Sequence, residues 1–131
     1  MTSACKPFWR CSISSVTGPS HATDGTDCQD YCAITALEGR EDVVLVALSD
    51  GAGSAAFASE GAEIVVNTWL SHFAACLANS EDPVAVIKQF GHANVSAVLE
   101  TIRHHVGERA LESGVSPSEF SGRGRGGLGG R

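Results

Sequence analysis

The hydrophobic period of this chain changes abruptly near residue 50. Residues 43–49 read VVLVALS, apolar at almost every position, which is typical of a strand with both faces buried and a central place in its sheet. The strand pattern closes on Asp50 and Gly51, and from Ala62 onward the apolar residues recur at helical spacing. A strand that leads into a helix across a turn of small residues therefore organises the fold, and Asp50 lies at that turn.

Two more strands are predicted before this point. Residues 8–16 alternate loosely between apolar and polar side chains, and residues 31–37 form a short apolar run. Residues 39–42 are few enough to connect the run at 31–37 with the strand at 43–49 as an antiparallel hairpin.

Two long helices are predicted after the turn. The first has an apolar stripe made of Ala62, Val65, Val66, Trp69, Leu70, Phe73 and Leu77. The second begins at Asp82 as its cap and ends at Gly114, with Ile87 on its apolar stripe and Asn94 and His105 at the margins. Strands followed by helices predict an α+β fold, in which an antiparallel β-sheet carries two long helices on one face.

Composition bounds the class of protein. The 131 residues are 43% hydrophobic and 18% charged, as in a globular domain, which we place at residues 1–117. Residues 118–131 are predicted to be a disordered Gly/Arg-rich tail, because six of the last eleven residues are glycine. The first 120 residues carry 6 basic and 15 acidic side chains, which argues against nucleic-acid binding. The short apolar runs predict no membrane span, and five cysteines without a disulfide framework predict a cytoplasmic location.

Two chemistries use an aspartate followed by glycines at the end of a strand. Gly51 and Gly53 fit a G-x-G-x-x-A loop that could cradle a phosphate, and a nucleotide-binding fragment remains an alternative. Residues 70–75 continue the helical pattern, however, where a dinucleotide fold would return to a parallel strand. In the other chemistry Asp50 is a metal ligand, and the Gly51 carbonyl faces the same hard cation. A hairpin would place Asp30, at the start of the neighbouring strand, beside Asp50.

The segments around these aspartates resemble the opening of the type 2C (PPM-type) metal-dependent protein serine/threonine phosphatases. In that family a G-x-x-R-like segment precedes an acidic N-Q-D or x-E-D element, a strand ending in A-D-G-x-G-G, and a helix starting near a Gly-Glu or Ser-Glu pair. The matching segments of this chain, in the same order, are Gly18-x-x-His21, Cys28-Gln29-Asp30, Ser49-Asp50-Gly51-Ala52-Gly53-Ser54 and Ser59-Glu60-Gly61.

The resemblance implies the first half of a four-layer α-β-β-α sandwich that holds two Mg²⁺ or Mn²⁺ ions. Asp50 would contact both ions, Gly51 would offer its carbonyl, and Asp30 would complete the near side. His21 stands where many relatives have an arginine that binds the substrate phosphate. The implied substrate is a phosphoprotein, hydrolysed at phosphoserine or phosphothreonine by a metal-activated water.

The resemblance covers only the N-terminal portion of such a domain. Further metal carboxylates of the family lie downstream, whereas Glu119 is the sole acid after Glu112 in this chain. We therefore expect a truncated domain with weak or no activity on its own, and self-association through an uncovered sheet face. A catalytically silent interaction module is the alternative from another functional class.

Overall fold

The structure, a computed structural model, describes residues 9–17, 19, 23, 25, 28–51 and 56–121. In chain order the elements are β1 (Tyr31–Leu37), β2 (Arg40–Ser49), α1 (Ala58–Ala78), α2 (Pro83–Lys88), α3 (His92–Glu112) and α4 (Pro117–Phe120). The two strands form an antiparallel sheet, α1 packs on both of them, and α3 packs against α1. The α+β class predicted from the sequence is confirmed.

The β1–β2 hairpin is tighter than predicted. Leu37 pairs with Arg40 across the two-residue turn Glu38-Gly39, so β2 begins at Arg40 and not at residue 43. Gly39 has a φ of +76°, a left-handed conformation that glycine adopts without steric cost. A register shift between Ala36 and Leu37 lets residues 40–42 join the strand.

The first predicted helix is present as α1. Its stripe supplies much of the core, since Ala62, Val66, Leu70 and Leu77 are buried. The remaining members of the stripe (Val65, Trp69 and Phe73) are half-buried. This distribution matches a helix whose apolar side faces a sheet while its edges approach other helices.

The second predicted helix is two helices, which corrects the single element expected from Asp82 to Gly114. Asp82 caps α2 as predicted, because its Oδ1 accepts hydrogen bonds from the backbone N–H groups of Val84 and Ala85 at 3.0 and 3.1 Å. The chain then breaks at residues 89–91, and α3 restarts with Asn94 Oδ1 accepting a hydrogen bond from the Gly91 N–H at 3.3 Å. Ile87, expected on the apolar stripe, is 55% exposed, and no residue of α2 is buried.

Three further expectations are corrected by the described residues. Residues 9–17 form no strand, and the side chain of Trp9 instead donates a hydrogen bond to the Asp42 carbonyl at 3.0 Å. Within the described ranges β2 pairs with β1 alone, so it is not a central strand. Residues 118–120 belong to α4 and were not expected to be ordered, because a single helical turn leaves little periodic signal. Residues 122–131 of the predicted tail lie outside the described residues.

One face of the sheet is uncovered in the part of the chain that the structure describes. Val46 is 60% exposed and Leu48 is 78% exposed. Their cross-strand partners Ile34 and Cys32 are also apolar. The alternation of β2 thus directs Leu45 and Ala47 toward the opposite face from Val46 and Leu48.

None of the helices in the described ranges combines the length and the hydropathy that a bilayer crossing requires.

Candidate metal site at the end of the hairpin

The β1–β2 register brings Asp30 and Asp50 to the same end of the sheet. Tyr31 pairs with Ser49, so the residues that flank this pair, Asp30 and Asp50, leave the ladder side by side. The hairpin therefore places Asp30 next to Asp50 at one end of the sheet, as the sequence predicted. Both carboxylates are exposed to solvent at this edge.

A backbone hydrogen bond connects the two ends of the hairpin. The Gly51 N–H donates to Asp30 Oδ1 at 3.3 Å. The second carboxylate oxygen of Asp30 has no described protein partner. Neither oxygen of the Asp50 carboxylate has one either. Oxygens of this kind are the donors that Mg²⁺ and Mn²⁺ prefer.

Gly51 is required by the packing around it. A Cβ at this position would collide with the backbone carbonyl of Gln29 and would lie 3.0 Å from the Ala58 carbonyl oxygen. Both neighbours are main-chain atoms, which cannot rotate away as a side chain would. The glycine therefore allows β1, the end of β2 and the first turn of α1 to meet at one point.

The donor set suits a hydrated hard cation but is small. Among the described residues, no three His, Cys, Asp or Glu side chains are grouped so that they could hold a metal ion. Asp30, Asp50 and the Gly51 carbonyl would thus supply three protein ligand groups, with water completing the shell of Mg²⁺ or Mn²⁺. The chemistry of these residues fits the implied ions.

Two sequence-predicted features of the site fall outside the described residues. His21, expected to bind the substrate phosphate, is one of them. Residues 52–55, which contain Gly53 of the nucleotide-loop alternative, are the other. Their roles stay predictions.

A cavity of about 280 Å³ adjoins Asp50, and its walls come from distant parts of the chain. Asp50 and Gly51 form one side, while Phe57, Val106 and Phe120 contribute aromatic and aliphatic surface. Sequence reasoning missed Phe57 and Phe120. A signal was available for the second, because Ser116 and Glu119 have the S-x-x-E spacing of a capping box that begins a helix.

That capping box is formed. Glu119 Oε2 accepts hydrogen bonds from the Ser116 N–H and from Ser116 Oγ, both at 2.9 Å. Hydrogen bonding from the Ser116 backbone, followed by that from its hydroxyl, holds the pKa of the Glu119 carboxyl below its usual value.

A larger groove of about 560 Å³ runs between α1 and α3, away from the two aspartates. His105 lies along it and shares a 3.3 Å hydrogen bond with Thr68 Oγ1. His72 also lines it, and its Nε2 is buried without a hydrogen-bond partner.

Comparison with known proteins identifies the family. The family model described as Protein phosphatase 2C matches residues 17–122, a span that contains both aspartates, the sheet and the four helices α1 to α4. The chain belongs to the protein phosphatase 2C family. The resemblance drawn from the short motifs around Asp30 and Asp50 is thereby confirmed.

The chain is also similar to Serine/threonine-protein phosphatase 3 of Escherichia coli (strain K12), with 35% identity over 66 residues. The matched region is 49% of this chain and 26% of the relative, so the match spans about a quarter of the length of that phosphatase. No solved structure matches the chain significantly.

Proposed function

We propose that this phosphatase 2C chain forms the near side of a metal-dependent site that hydrolyses phosphoserine or phosphothreonine in proteins. The pairing of Tyr31 with Ser49 is the observation that carries the proposal, because it supports a shared role for the flanking carboxylates Asp30 and Asp50. Membership of the family supports the phosphoprotein substrate.

In this proposal the three groups at the hairpin end have different roles. Asp50 would bind the cations through its carboxylate, Gly51 would offer its carbonyl, and Asp30 would bind through the oxygen that the Gly51 N–H leaves free. Bound Mg²⁺ or Mn²⁺ supplies charge that polarises the phosphoryl oxygens and lowers the pKa of a coordinated water. His21 would assist by donating a hydrogen bond to the substrate phosphate.

The chain by itself should be a weak catalyst. Two carboxylates and one carbonyl hold a pair of divalent ions less firmly than a site with further acidic ligands, since affinity rises with the number of charged donors. We also propose a cytoplasmic location, with which the free thiols of Cys11, Cys28, Cys32 and Cys76 are compatible. Self-association through the uncovered face at Val46 and Leu48 belongs to the same proposal.

Calorimetric titration of the chain with Mn²⁺ tests the site. Asp50→Asn and Asp30→Asn should each abolish or strongly weaken binding, because each removes a charged oxygen donor. Glu100→Gln is the matched control, since it neutralises an exposed carboxylate on α3 away from the hairpin end. Binding that survives Asp50→Asn, or an unmodified chain that binds no Mn²⁺, would contradict the proposed metal site.

The two alternatives predict different results in the same assay. A silent interaction module binds no cation and gives no turnover of p-nitrophenyl phosphate with Mn²⁺. A nucleotide-binding fragment binds nucleotide in a manner that survives the loss of Asp50. Robust Mn²⁺-dependent turnover would show that the predicted weakness of this chain is wrong.

A further inference from the structure

The C-terminal turn of the described chain lies against the candidate metal site. Helix α4 has a single turn, closed by the reciprocal hydrogen bonds between Ser116 and Glu119. At its end Phe120 is only 3% exposed, although it belongs to a segment that sequence analysis assigned to a disordered tail. An isolated helical turn has little stability of its own, so burial of this aromatic ring is the main interaction that holds α4 in place.

Phe120 is buried by stacking on Phe57. The ring centroids are 4.7 Å apart and the planes differ by 12°. Phe57 immediately precedes α1, and its carbonyl accepts a hydrogen bond from the Gly61 N–H at 2.9 Å, in the first turn of that helix. The stack therefore holds the start of α1 against the end of the described chain.

From Phe57 a short series of contacts leads to the carboxylates. Ala58, the next residue, places its carbonyl oxygen so close to Gly51 that a side chain there would lie 3.0 Å from it. Gly51 in turn donates its N–H to Asp30 Oδ1. Displacement of the first turn of α1 would remove the packing contact between the Ala58 carbonyl and the Gly51 backbone.

We infer that Phe120 is a positioning residue, which acts through Phe57 to hold the Gly51 backbone in the orientation that aligns Asp30 with Asp50. The inference rests on the proposed function, in which this pair binds a divalent cation. It assigns a role to residues 116–120, which touch neither the carboxylates nor, in the proposal, the cation.

The Gly51 amide resonance of the full ¹⁵N-labelled chain, recorded without metal, tests the inference independently of cation binding. Asp30→Asn defines where this resonance lies when the hydrogen-bond acceptor loses its charge. Phe120→Ala should move the Gly51 resonance toward that position. Phe57→Ala, which removes the other ring of the stack, should move it in the same direction.

Affinity for Mn²⁺ provides the second readout. Partners that orient metal ligands typically contribute about 10–100-fold to affinity, and Phe120→Ala should cost an amount in this range. Phe120→Leu keeps most of the apolar volume without the ring, so it decides the question if the alanine variant does not fold. Leu111→Ala on α3, where Leu111 is 82% exposed, is the control and should change neither readout.

The inference is overturned if folded Phe120→Ala or Phe120→Leu leaves both the Gly51 resonance and the Mn²⁺ affinity unchanged. It is also overturned if folded Phe57→Ala leaves the Gly51 resonance unchanged, because the proposed coupling runs through that ring. If the unmodified chain binds no Mn²⁺, the proposed function fails, and the Gly51 resonance still decides whether Phe120 positions this backbone.

Discussion

Gly51→Ala is the perturbation whose outcome the packing predicts most directly. The new methyl group would overlap the Gln29 carbonyl and press on the Ala58 carbonyl oxygen. Neither group can move without shifting the start of β1 or the first turn of α1. The variant must therefore separate the end of β2 from the start of β1 and from the first turn of α1.

The expected cost follows from two opposing effects. Overpacking of this kind destabilises a folded protein by about 1–3 kcal/mol. Replacement of glycine also reduces the conformational entropy of the unfolded chain, which returns about 0.4–1 kcal/mol. We expect a net loss of roughly 1–2 kcal/mol in the free energy of unfolding, which lowers the melting temperature by about 4 °C or more.

Gly107→Ala is the matched control. Gly107 lies inside α3, and a Cβ there would meet no atom within 4 Å. Alanine is favoured over glycine in a helix interior, so this variant should gain about 0.5–1 kcal/mol. The same chemical change is thus predicted to have opposite signs at two positions.

Urea unfolding followed by circular dichroism measures both variants. Gly51→Ala should lower the transition midpoint and Gly107→Ala should raise it, with unchanged slopes. If Gly51→Ala unfolds at or above the midpoint of the unmodified chain, the close approach of Gln29 and Ala58 to Gly51 is not a constraint in solution, and the reasoning fails.

Three other outcomes are expected. Because the folded pKa of Glu119 is lowered, its stabilising hydrogen bonds are complete above the unfolded pKa and are lost as the pH falls through the lower folded value. An NMR pH titration should show α4 released in acid, and Glu119→Gln should remove that pH dependence. Asp82→Ala should cost about 1 kcal/mol in urea unfolding by removing the cap of α2, whereas Glu81→Ala next to it should cost little. Val46→Thr combined with Leu48→Thr should lower the sedimentation mass if the exposed sheet face drives self-association, and an unchanged mass would contradict that role.

The helices show which sequence signals are dependable. The stripe from Ala62 to Leu77 predicted α1 because burial selects apolar residues at the helical period over many turns. Asp82 and Gly114 marked helix ends correctly, since a capping carboxylate and a glycine with a φ of +70° act within a few residues of the backbone they stabilise. The break at residues 89–91 was not predicted from the sequence, because apolar residues continue on both sides of it.

Among the strand predictions, too, some were correct and one was wrong. The hairpin from Tyr31 to Ser49 was predictable because only a short link separates its two apolar runs. A strand at residues 8–16 was not observed among residues 9–17, since a loose alternation of apolar residues does not specify a pairing partner. Pairing depends on residues far away in the chain, and no periodicity reports it.

The order of residues along the chain determined that a hairpin would bring Asp30 close to Asp50, because an antiparallel turn obliges the start of one strand to meet the end of the next. The stacking of Phe120 on Phe57 beside Asp50, by contrast, is set by tertiary packing. The two rings are 63 residues apart in the sequence, and their contact depends on how α1 and α3 pack, which no local pattern encodes.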